Sequence, residues 1–461
     1  MCTIISASLP GTVSYPESDD YASSTTSYWS AFESALKPSC IVKPRDTREV
    51  AIIIKWLNRL ASISTCQLAI RGGGHTPWAG SANIDGGITI DLSSLKDISV
   101  NQDKSIVSIG AGSIWGDVYR RMDELGIAVV GGRGSSVGVG GLTLGGGISY
   151  FSARKGFAGD NVVNFEVVLA NRKAVNANAT SNPDLWRALK GGSNNFRVVT
   201  RFDVSAFEHG NFWGGSIIYN DSASPALLQA FVDLNKDHGY DEYAALMQSH
   251  AFVTGMGFVA AANIEYTKPT ENPETFQAYT NAQPQLGNTM RISNQTDFTD
   301  EFVALIPNGR RQLYITTTFK NDLNLVQYAY DTLKSLGSQI PSSPMSTISI
   351  TIQPITPATT SRAAEKGGNS LSLDDSETAL VLCLVAATWD SPADDEKVKS
   401  LGKAINDRIH RWGYLNYADQ WQDPIGGYGK VNKKKLQEAS LKYDPTGFFQ
   451  KRVSGGFKLF K

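Results

Sequence analysis

One of the five histidines stands at the end of a run of glycines, in a setting that can hold a large anion. The run is Arg71-Gly72-Gly73-Gly74-His75, and it follows an apolar stretch that predicts a β-strand. Glycine lets backbone N–H groups converge and lets a ligand approach the main chain, so the run can cradle a diphosphate while Arg71 supplies positive charge. The run matches neither the Walker A nor the GxGxxG pattern. The alternative is a flexible loop with a surface histidine.

A second segment, residues 131–147, contains nine glycines among seventeen residues. Because each glycine adds a backbone entropy cost and contributes no side-chain packing, such a segment is not expected to form an ordinary core element. Apolar residues are interleaved with the glycines or follow them directly: Val137, Leu142, Leu144 and Ile148. A large planar ligand lying against bare backbone explains both features. A disordered linker is the alternative, but linkers are polar.

The composition is that of a globular protein that handles a small molecule. Apolar residues make up 41% of the 461 residues and the net charge is -1. That charge argues against a nucleic-acid groove or an anionic membrane surface, because both need a concentrated positive field. The apolar run at 378–387 is far shorter than a membrane-spanning helix. The first ten residues lack a secretory pattern, so we expect a cytoplasmic protein unless a signal is missing from this sequence.

The cysteines and the remaining histidines follow no metal-ligand spacing, so no metal site is predicted. A disulfide between Cys2 and Cys40 is conceivable if the native compartment is oxidising. Cys66 and Cys383 lie in apolar contexts and are expected to be buried. The other histidines are predicted to be surface residues or satisfied polar groups: His209, His238, His250 and His410.

Hydrophobic periodicity and turn residues predict more than one domain of mixed helix and strand type. A helix begins near Thr47, which is expected to cap it. The first part of the chain also predicts strands at 41–44, 68–70, 88–92, 106–109 and 198–204, a hairpin at 164–177, and helices at 115–125 and 184–189. Beyond about residue 208 the texture is that of an α+β domain. Its predicted elements are helices at 227–235, 325–336 and 395–411 and strands at 256–266, 313–319, 346–353 and 379–387.

Together the two glycine segments resemble the FAD-binding domain of the berberine bridge enzyme-like flavoproteins, within the vanillyl-alcohol oxidase type of flavin fold. Gln353-Pro354 and the segment 367–370 look like fungal members of that family, many of which act in secondary metabolism. Further matches follow in family order and bring the resemblance to about half the chain: 160–162, 166–170, 184–196, 199–202, 414–419, 428–429 and 442–445.

The resemblance implies an α+β fold with a two-subdomain FAD-binding domain of the PCMH type in residues 1–207, made of an N-terminal extension (1–36) and a core (37–207). A substrate-binding domain with an antiparallel sheet follows in residues 208–410. Residues 411–461 are expected to return to the FAD domain, because their aromatic side chains are too many to leave in water. These aromatic residues are Trp412, Tyr414, Tyr417, Trp421 and Tyr428.

In that family the histidine of R-x-G-G-H is bonded to the 8α-methyl group of the flavin, and His75 matches its position. The bond raises the flavin's reduction potential. Many members add a second bond from a cysteine, but Gly134 occupies that position here, so a single covalent link to FAD is expected. The glycine pattern and the resemblance assign these residues to FAD: Arg71, Gly72, Gly73, Gly74, His75, Thr76, Gly80, Gly134, Ser135, Val137, Gly138, Gly140, Gly141, Leu144, Gly145, Gly146, Gly147, Asn161, Val199 and Tyr417.

For catalysis, the family places the tyrosine of a Y-x-N-Y motif near flavin N5, and Tyr417 matches it, with Asn416 as a neighbour. A phenol needs a cationic or flavin-field neighbour before it accepts a proton at neutral pH. The alternative is a tyrosine that only packs the domain interface. Val137 matches a position linked to oxygen access, where valine goes with oxidase behaviour. Arg197 stands where members often have glycine, and a cation there is expected to alter adenine or pyrophosphate contacts.

The implied activity is removal of a hydride from a small alcohol, amine or activated C–H compound, with O2 reoxidising FAD to give hydrogen peroxide. Oxidative cyclisation or dearomatisation would fit natural-product biosynthesis. The expected partners are a small-molecule substrate and O2, with no nucleic acid and no membrane. One rival is an FAD-containing cyclase that performs a Diels–Alder or other non-redox ring closure by positioning its substrate. Another is a flavin-binding protein without catalysis.

Overall fold

A computed structural model describes residues 1–60, 65–343, 345–373, 377–409 and 413–460. Within these ranges the chain forms three β-sheets around two main hydrophobic cores. The second and third sheets are antiparallel, and helices pack on them. The predicted α+β class is confirmed.

The first sheet has four strands in the order β1-β2-β4-β3, with parallel pairing among β2, β3 and β4. Its strands are β1 (Val13–Ser14), β2 (Cys40–Val42), β3 (Leu68–Arg71) and β4 (Ile88–Asp91). The helices of this part are α1 (Cys2–Ser8), α2 (Asp19–Thr26), α3 (Ala31–Ser34) and α4 (Thr47–Arg59). The first glycine run therefore follows a short parallel strand, as its sequence predicts.

The N-terminus of α4 differs from the prediction. Asp46 is the capping residue, and its carboxylate accepts a hydrogen bond of 2.7 Å from the Glu49 N–H. Thr47 is the first helical residue, and its hydroxyl donates to the carboxylate of Glu166 instead. Thr47 was wrongly predicted as the cap because the residue before it reaches the same orphan N–H.

The second sheet has the order β5-β6-β10-β8-β9, and β7 pairs with the far end of β10. The predicted hairpin at 164–177 and helix at 115–125 are confirmed by β8, β9 and α5. The strands are β5 (Ile98–Val100), β6 (Ile106–Gly110), β7 (Ile127–Val129), β8 (Val162–Val168), β9 (Ala174–Asn178) and β10 (Val198–Glu208). The helices are α5 (Trp115–Leu125), α6 (Val139–Leu144), α7 (Ser152–Lys155) and α8 (Pro183–Leu189).

The second glycine segment contains a short helix, which its composition did not predict. Helix α6 lies between Gly138, its capping residue, and Gly145. Gly146 and Gly147 then take φ values of 107° and 81°, a left-handed region that favours glycine. Glycine is thus tolerated in one short helix here, while the flanking turns need it.

The third sheet has eight strands in the order β14-β11-β13-β12-β17-β18-β16, with β15 paired to β11. Strands β11 and β12 were not predicted. The strands are β11 (Phe212–Asn220), β12 (Ala244–Val253), β13 (Gly257–Tyr266), β14 (Gln285–Asn288), β15 (Arg291–Ser293), β16 (Arg311–Lys320), β17 (Thr347–Ile355) and β18 (Leu380–Trp389). The helices are α9 (Ser224–Leu234), α10 (Gln277–Thr280), α11 (Gln295–Ala304), α12 (Leu323–Leu336), α13 (Pro357–Thr360), α14 (Arg362–Glu365) and α15 (Asp395–Ile409).

The two faces of the third sheet have different roles, because side chains alternate along each strand. One face, with Ile350 and Ile352 of β17 and Val385 of β18, packs against α12 and α15 to make the second core. Gln353 is out of phase with Ile350 and Ile352 along β17. It therefore lies on the opposite face, toward the glycine segments.

The C-terminal residues pack into the first core rather than extending away. Tyr414, Tyr428 and Leu436 are buried there with the strands of the second sheet. The helices of this segment are α16 (Pro424–Gly427), α17 (Gly429–Tyr443) and α18 (Phe448–Arg452). Trp421 is 46% exposed, so its expected burial is wrong, and Trp412 lies outside the described residues.

Cys2 and Cys40 form a disulfide that ties α1 to β2. Cys383 is buried as predicted, whereas Cys66 is only half-buried. None of the described helices combines the length and the apolar composition needed to cross a bilayer. Within the described ranges, no three His, Cys, Asp or Glu side chains converge on a point that could hold a metal ion.

Candidate active site

The two glycine segments cross each other in direct backbone contact. A Cβ on Gly73 would lie 2.5 Å from the Cα of Gly138, and a Cβ on Gly138 would lie 2.4 Å from the Gly73 nitrogen. Neither position can therefore hold a larger residue without separating the segments. We call residues 71–75 and 131–147 together the glycine cradle. Its crossing point joins the first sheet to the loop before α6.

His75 lies beside this crossing, half-buried. The Trp29 indole stacks on its imidazole with ring centroids 4.2 Å apart and an angle of 9° between the planes. The His75 Nε2 is 3.3 Å from the Ser136 hydroxyl oxygen. Desolvation lowers the pKa of His75 to about 4, so the ring is neutral at pH 7 and one of its nitrogens carries a free lone pair.

A row of partly exposed apolar side chains runs along the cradle. Val137, Leu142, Leu144 and Ile148 are all half-buried, whereas most of the intervening glycines are buried. Such a face, with bare backbone between small apolar groups, fits a flat heteroaromatic ring better than a polar solute. The neutral imidazole beside it and the tight glycine crossing fit the diphosphate-linked flavin that the sequence predicts.

Arg71 binds the N-terminal extension. Its guanidinium donates to the Ser24 carbonyl at 2.6 Å and to the Ser27 hydroxyl at 2.8 Å, and it covers the Tyr28 ring at 3.8 Å. Asp91 lies 3.9 Å away. These contacts hold the N-terminal extension against β3. The charge that Arg71 would supply to a diphosphate stays a prediction.

Gly80 is likewise held by the N-terminal extension. The buried carboxylate of Glu33 accepts hydrogen bonds from the N–H groups of residues 80 to 83. Burial raises the pKa of Glu33 to about 7, and these four donors oppose the rise. The Gly80 N–H is therefore engaged with Glu33, and a contact of Gly80 with FAD stays a prediction.

The Asn161 side chain and the Ser135 backbone N–H also have hydrogen-bond partners within the protein. The Asn161 amide donates to the carbonyls of Lys155 at 2.9 Å and Phe157 at 2.8 Å, which fixes the turn before β8. Ser135 is 7% exposed, and its N–H donates to the Thr299 carbonyl at 3.3 Å. Its neighbour Ser136 is the serine that reaches His75. The assignment of Asn161 and Ser135 to FAD stays a prediction.

Gly134 faces α11. A Cβ there would lie 3.4 Å from a methyl of Val303, which is ordinary contact. The other residues assigned to FAD lie on the cradle, on the loop after it or in the adjacent core, where their contacts with a cofactor remain predictions. They are Gly72, Gly74, Thr76, Gly140, Gly141, Leu144, Gly145, Gly146, Gly147 and Val199.

Tyr417 meets a cation that the sequence did not single out. The Arg133 guanidinium donates a hydrogen bond of 3.0 Å to the Tyr417 hydroxyl oxygen, and a second to the Gln353 side-chain oxygen. Arg133 is 8% exposed and Gln353 is 1% exposed. A positive charge in such a desolvated setting stabilises negative charge on the phenol oxygen. We call Arg133, Gln353 and Tyr417 the polar cluster.

Two further tyrosines surround the polar cluster. Tyr314 of β16 meets the Tyr417 ring edge-on at 5.8 Å, and Tyr414 meets it at 5.3 Å. The Tyr414 hydroxyl accepts a hydrogen bond of 2.8 Å from the Gly147 N–H. Tyr417 is thus fixed against both the third sheet and the cradle, and its hydroxyl remains half-buried beside Arg133.

Asn416 serves this docking. Its amide nitrogen donates to the Leu142 carbonyl and to the Tyr414 hydroxyl, both at 3.0 Å. A Cβ on Gly145 would lie 1.8 Å from the Asn416 Oδ1, so glycine is required where the amide enters. These contacts dock Asn416 against α6 and Tyr414, and its catalytic role stays a prediction.

Arg197 is buried without a hydrogen-bond partner for any of its three guanidinium nitrogens in the described part of the chain. It is 3% exposed and covers the Phe196 ring at 4.7 Å. Burial lowers the pKa of Arg197 well below its usual value. Because the side chain lies inside the core, it is away from the partly exposed face of the cradle.

The three other histidines in the described ranges have no hydrogen bond or ring contact with the glycine cradle or the polar cluster. His250 is buried and satisfied by Ser224 and Gln248, and His238 is exposed, as predicted. His209 contradicts its prediction. Its Nε2 is buried among aromatic rings and has no hydrogen-bond partner among the described residues. His410 lies outside the described residues.

The residues that sequence reasoning missed come from distant parts of the chain: Trp29, Arg133, Ser136, Tyr314 and Gln353. Arg133 and Ser136 stand inside the second glycine segment, where their polarity among glycines and apolar residues was an available signal. Trp29 and Tyr314 carried none, because nothing local to them indicates a contact with His75 or Tyr417.

Comparisons with known proteins agree with this geometry. Residues 38–178 match the family model described as an FAD binding domain. The chain is 34% identical over 455 residues to the FAD-dependent monooxygenase FUP4 of Fusarium proliferatum, covering 94% of this chain and 87% of that protein. It is 32% identical to the bifunctional solanapyrone synthase of Alternaria solani, covering 99% and 88%. A variant of berberine bridge enzyme in complex with (S)-reticuline has a similar fold, with a TM-score of 0.78 at 15% identity over 99% and 98% of the two chains.

Proposed function

Since this chain belongs to the berberine bridge enzyme-like family of FAD-dependent oxidoreductases, we propose that it oxidises a small organic molecule with O2 as the final electron acceptor. When bound, FAD supplies a hydride acceptor at N5. The chain's own residues do the rest: the glycine cradle binds the cofactor, and the polar cluster binds and deprotonates the substrate. The relatives named above favour a fungal natural product as substrate, in the form of an alcohol, an amine or an activated C–H compound.

The hydrogen bond between Arg133 and Tyr417 carries this proposal. A tyrosine that loses a proton to solvent and takes one from substrate must hold negative charge in between, and Arg133 stabilises that charge from 3.0 Å away. The same guanidinium nitrogen also donates to the Gln353 side-chain oxygen, so the donor is held in place and does not need to reorganise during the reaction. Tyr417 therefore has the cationic neighbour that a phenolic base requires.

The cofactor link is proposed at His75 alone. The ring is neutral, it is stacked and oriented, and it lies beside the glycine crossing, which are the conditions for a nitrogen nucleophile. Gly134 has no side chain that could form a second bond. The link would raise the reduction potential and so favour hydride removal from an unreactive substrate.

Reoxidation by O2 is supported by Val137, a small side chain that is half-buried on the cradle face. In this reaction the substrate loses two electrons and two protons, and O2 becomes hydrogen peroxide. Several relatives are named monooxygenases, which would instead place one oxygen atom in the product. The two outcomes differ in where the oxygen goes.

Oxygen labelling tests the proposal. The holoenzyme is mixed without air with a panel of small aromatic alcohols, amines and phenols, and a compound that bleaches the flavin absorbance is then turned over under ¹⁸O2. We expect labelled hydrogen peroxide in proportion to product, and product free of label. Label in the product at the expense of peroxide would replace the oxidase proposal with a monooxygenase.

A second candidate is ring closure without net redox change, because one relative is named a synthase. The same site would then act by positioning the substrate on the cradle face. Here product would form without bleaching of the flavin and without oxygen consumption. An oxygen electrode and an absorbance trace on one sample separate the two functions.

A further inference from the structure

Trp29 brings the N-terminal extension into the site. Its indole lies flat on the His75 imidazole, with a centroid distance of 4.2 Å and 9° between the planes. The side chain is 2% exposed, so it is as firmly packed as a core residue. Its other neighbour is Tyr314, at 5.3 Å, which in turn meets Tyr417. Trp29 thus contacts both His75, the residue predicted to be bonded to FAD, and Tyr314, which packs on Tyr417 of the polar cluster.

Trp29 is held by three hydrogen bonds, two of its backbone and one of its indole. The Trp29 N–H donates to the Gly74 carbonyl at 3.3 Å, and its carbonyl accepts from the Gly309 N–H at 2.8 Å. The indole N–H donates to the Ile306 carbonyl at 3.2 Å. Because one partner belongs to the first glycine run and two belong to the loop before β16, the indole keeps its place relative to both.

The residues just before Trp29 are anchored as well. Tyr28 lies under the Arg71 guanidinium at 3.8 Å, and the Tyr28 hydroxyl donates to the Ala82 carbonyl at 3.0 Å. Arg71 also binds Ser24 and Ser27. Arg71 therefore holds in place the segment that carries the indole.

The contacts leave His75 little freedom. The indole covers one face of the imidazole, and the Ser136 hydroxyl lies 3.3 Å from Nε2. A side chain with two free torsions would otherwise sample several rotamers. Because folding has already fixed the nucleophile in one orientation, less entropy is lost when the bond to the cofactor forms.

We propose that Trp29 is a positioning residue for His75, and that its stacking sets the imidazole for attachment of FAD; this rests on the proposed covalent link. In that step a His75 nitrogen forms a bond to the 8α carbon, and the imidazole N–H and one methyl C–H give up their hydrogens as protons. The two electrons released pass to O2, which becomes hydrogen peroxide. The indole takes no part in the bond changes.

The test follows attachment over time in the full-length protein. Samples are taken at successive times after expression begins, precipitated with acid, and the flavin in the pellet is compared with the total. We expect the wild-type protein to hold its flavin covalently in the earliest sample. Trp29→Leu should bind FAD but attach it about 10- to 100-fold more slowly, because a branched aliphatic side chain does not stack on the ring. Trp29→Phe, which keeps an aromatic face, should stay within about threefold of wild type.

Trp186→Leu is the matched control. Trp186 is another buried tryptophan, which lies in the first core, donates its indole N–H to the Val162 carbonyl and does not stack on His75. Equal slowing in Trp29→Leu and Trp186→Leu would mean general loosening and would overturn the inference. So would a wild-type rate in Trp29→Leu. If Trp29→Leu is insoluble, Trp29→Met fills the volume with a flexible chain and carries the same expectation. A wild-type protein that releases all its flavin in acid would refute the proposed link itself, and the inference with it.

Discussion

The glycine cradle and the polar cluster meet at Arg133, yet they are built in opposite ways. The cradle is two continuous stretches of chain whose shape depends on missing side chains, as the 2.5 Å approach at Gly73 shows. The polar cluster is three side chains brought together across 220 and 284 residues of sequence. The crossing tolerates almost no substitution, because a Cβ on Gly73 or Gly138 meets main chain. A side-chain site should instead lose function stepwise while the fold persists.

The sharpest way to break the cradle is Gly138→Ala. The new methyl would lie 2.4 Å from the Gly73 nitrogen, so the two segments must separate. We expect purified protein with almost no flavin, measured as the ratio of flavin to protein absorbance. Gly210→Ala is the control, because a Cβ there meets nothing within 4 Å and the loop is remote from the cradle in sequence. Full flavin loading in Gly138→Ala would contradict the close crossing.

The polar cluster should fail without loss of cofactor. Tyr417→Phe removes the hydroxyl that Arg133 binds, and we expect flavin content to stay at the wild-type level. Flavin reduction by a substrate found in the panel should fall by roughly 10²-fold or more, the usual size of a general-base contribution. Anaerobic stopped-flow absorbance isolates this step. Reduction at the wild-type rate would leave Tyr417 a packing residue only.

The third sheet should be acid-sensitive through His250 of β12. Burial lowers the pKa of His250 to about 4 from an ordinary value of 6.5, so the neutral ring is favoured in the fold. Its contribution is fully present above pH 6.5 and is lost as the pH falls toward 4, by about 3 kcal/mol. Chemical denaturation at several pH values should show a smaller loss over this range in His250→Gln. Equal losses in both proteins would remove His250 as the cause.

Arg197 offers a smaller effect of opposite sign. A buried guanidinium that has no hydrogen-bond partner in the described part of the chain destabilises the core. Apolar replacement of buried ionic groups is often stabilising. Arg197→Met should therefore raise the free energy of unfolding by about 1 kcal/mol or more, measured by chemical denaturation, with flavin content unchanged. Loss of flavin in this variant would show that the arginine serves the cradle after all.

The same contrast explains what the sequence could predict. The cradle, helix α5, the β8–β9 hairpin and the helices behind the third sheet depend on local composition and periodicity, and they were found. The polar cluster could be half found, since Tyr417 lies in a recognisable motif while Arg133 and Gln353 depend on tertiary pairing. The hydrogen-bond partners that Arg71, Gly80 and Asn161 have within the protein could not be predicted, because residue type and position do not determine which way a group faces. Strands β11 and β12 were not predicted, because Gly214-Gly215 and the polar run 248–250 interrupt the alternation of apolar and polar residues that indicates a strand.

Intact-protein mass spectrometry of the purified protein, with and without His75→Ala, tests the central claim most directly. We predict that the wild-type chain carries the added mass of one FAD less two hydrogens, that the modified peptide contains His75, and that His75→Ala shows the unmodified chain mass. A wild-type chain with no added mass, or a His75→Ala chain that still carries flavin, would contradict the account.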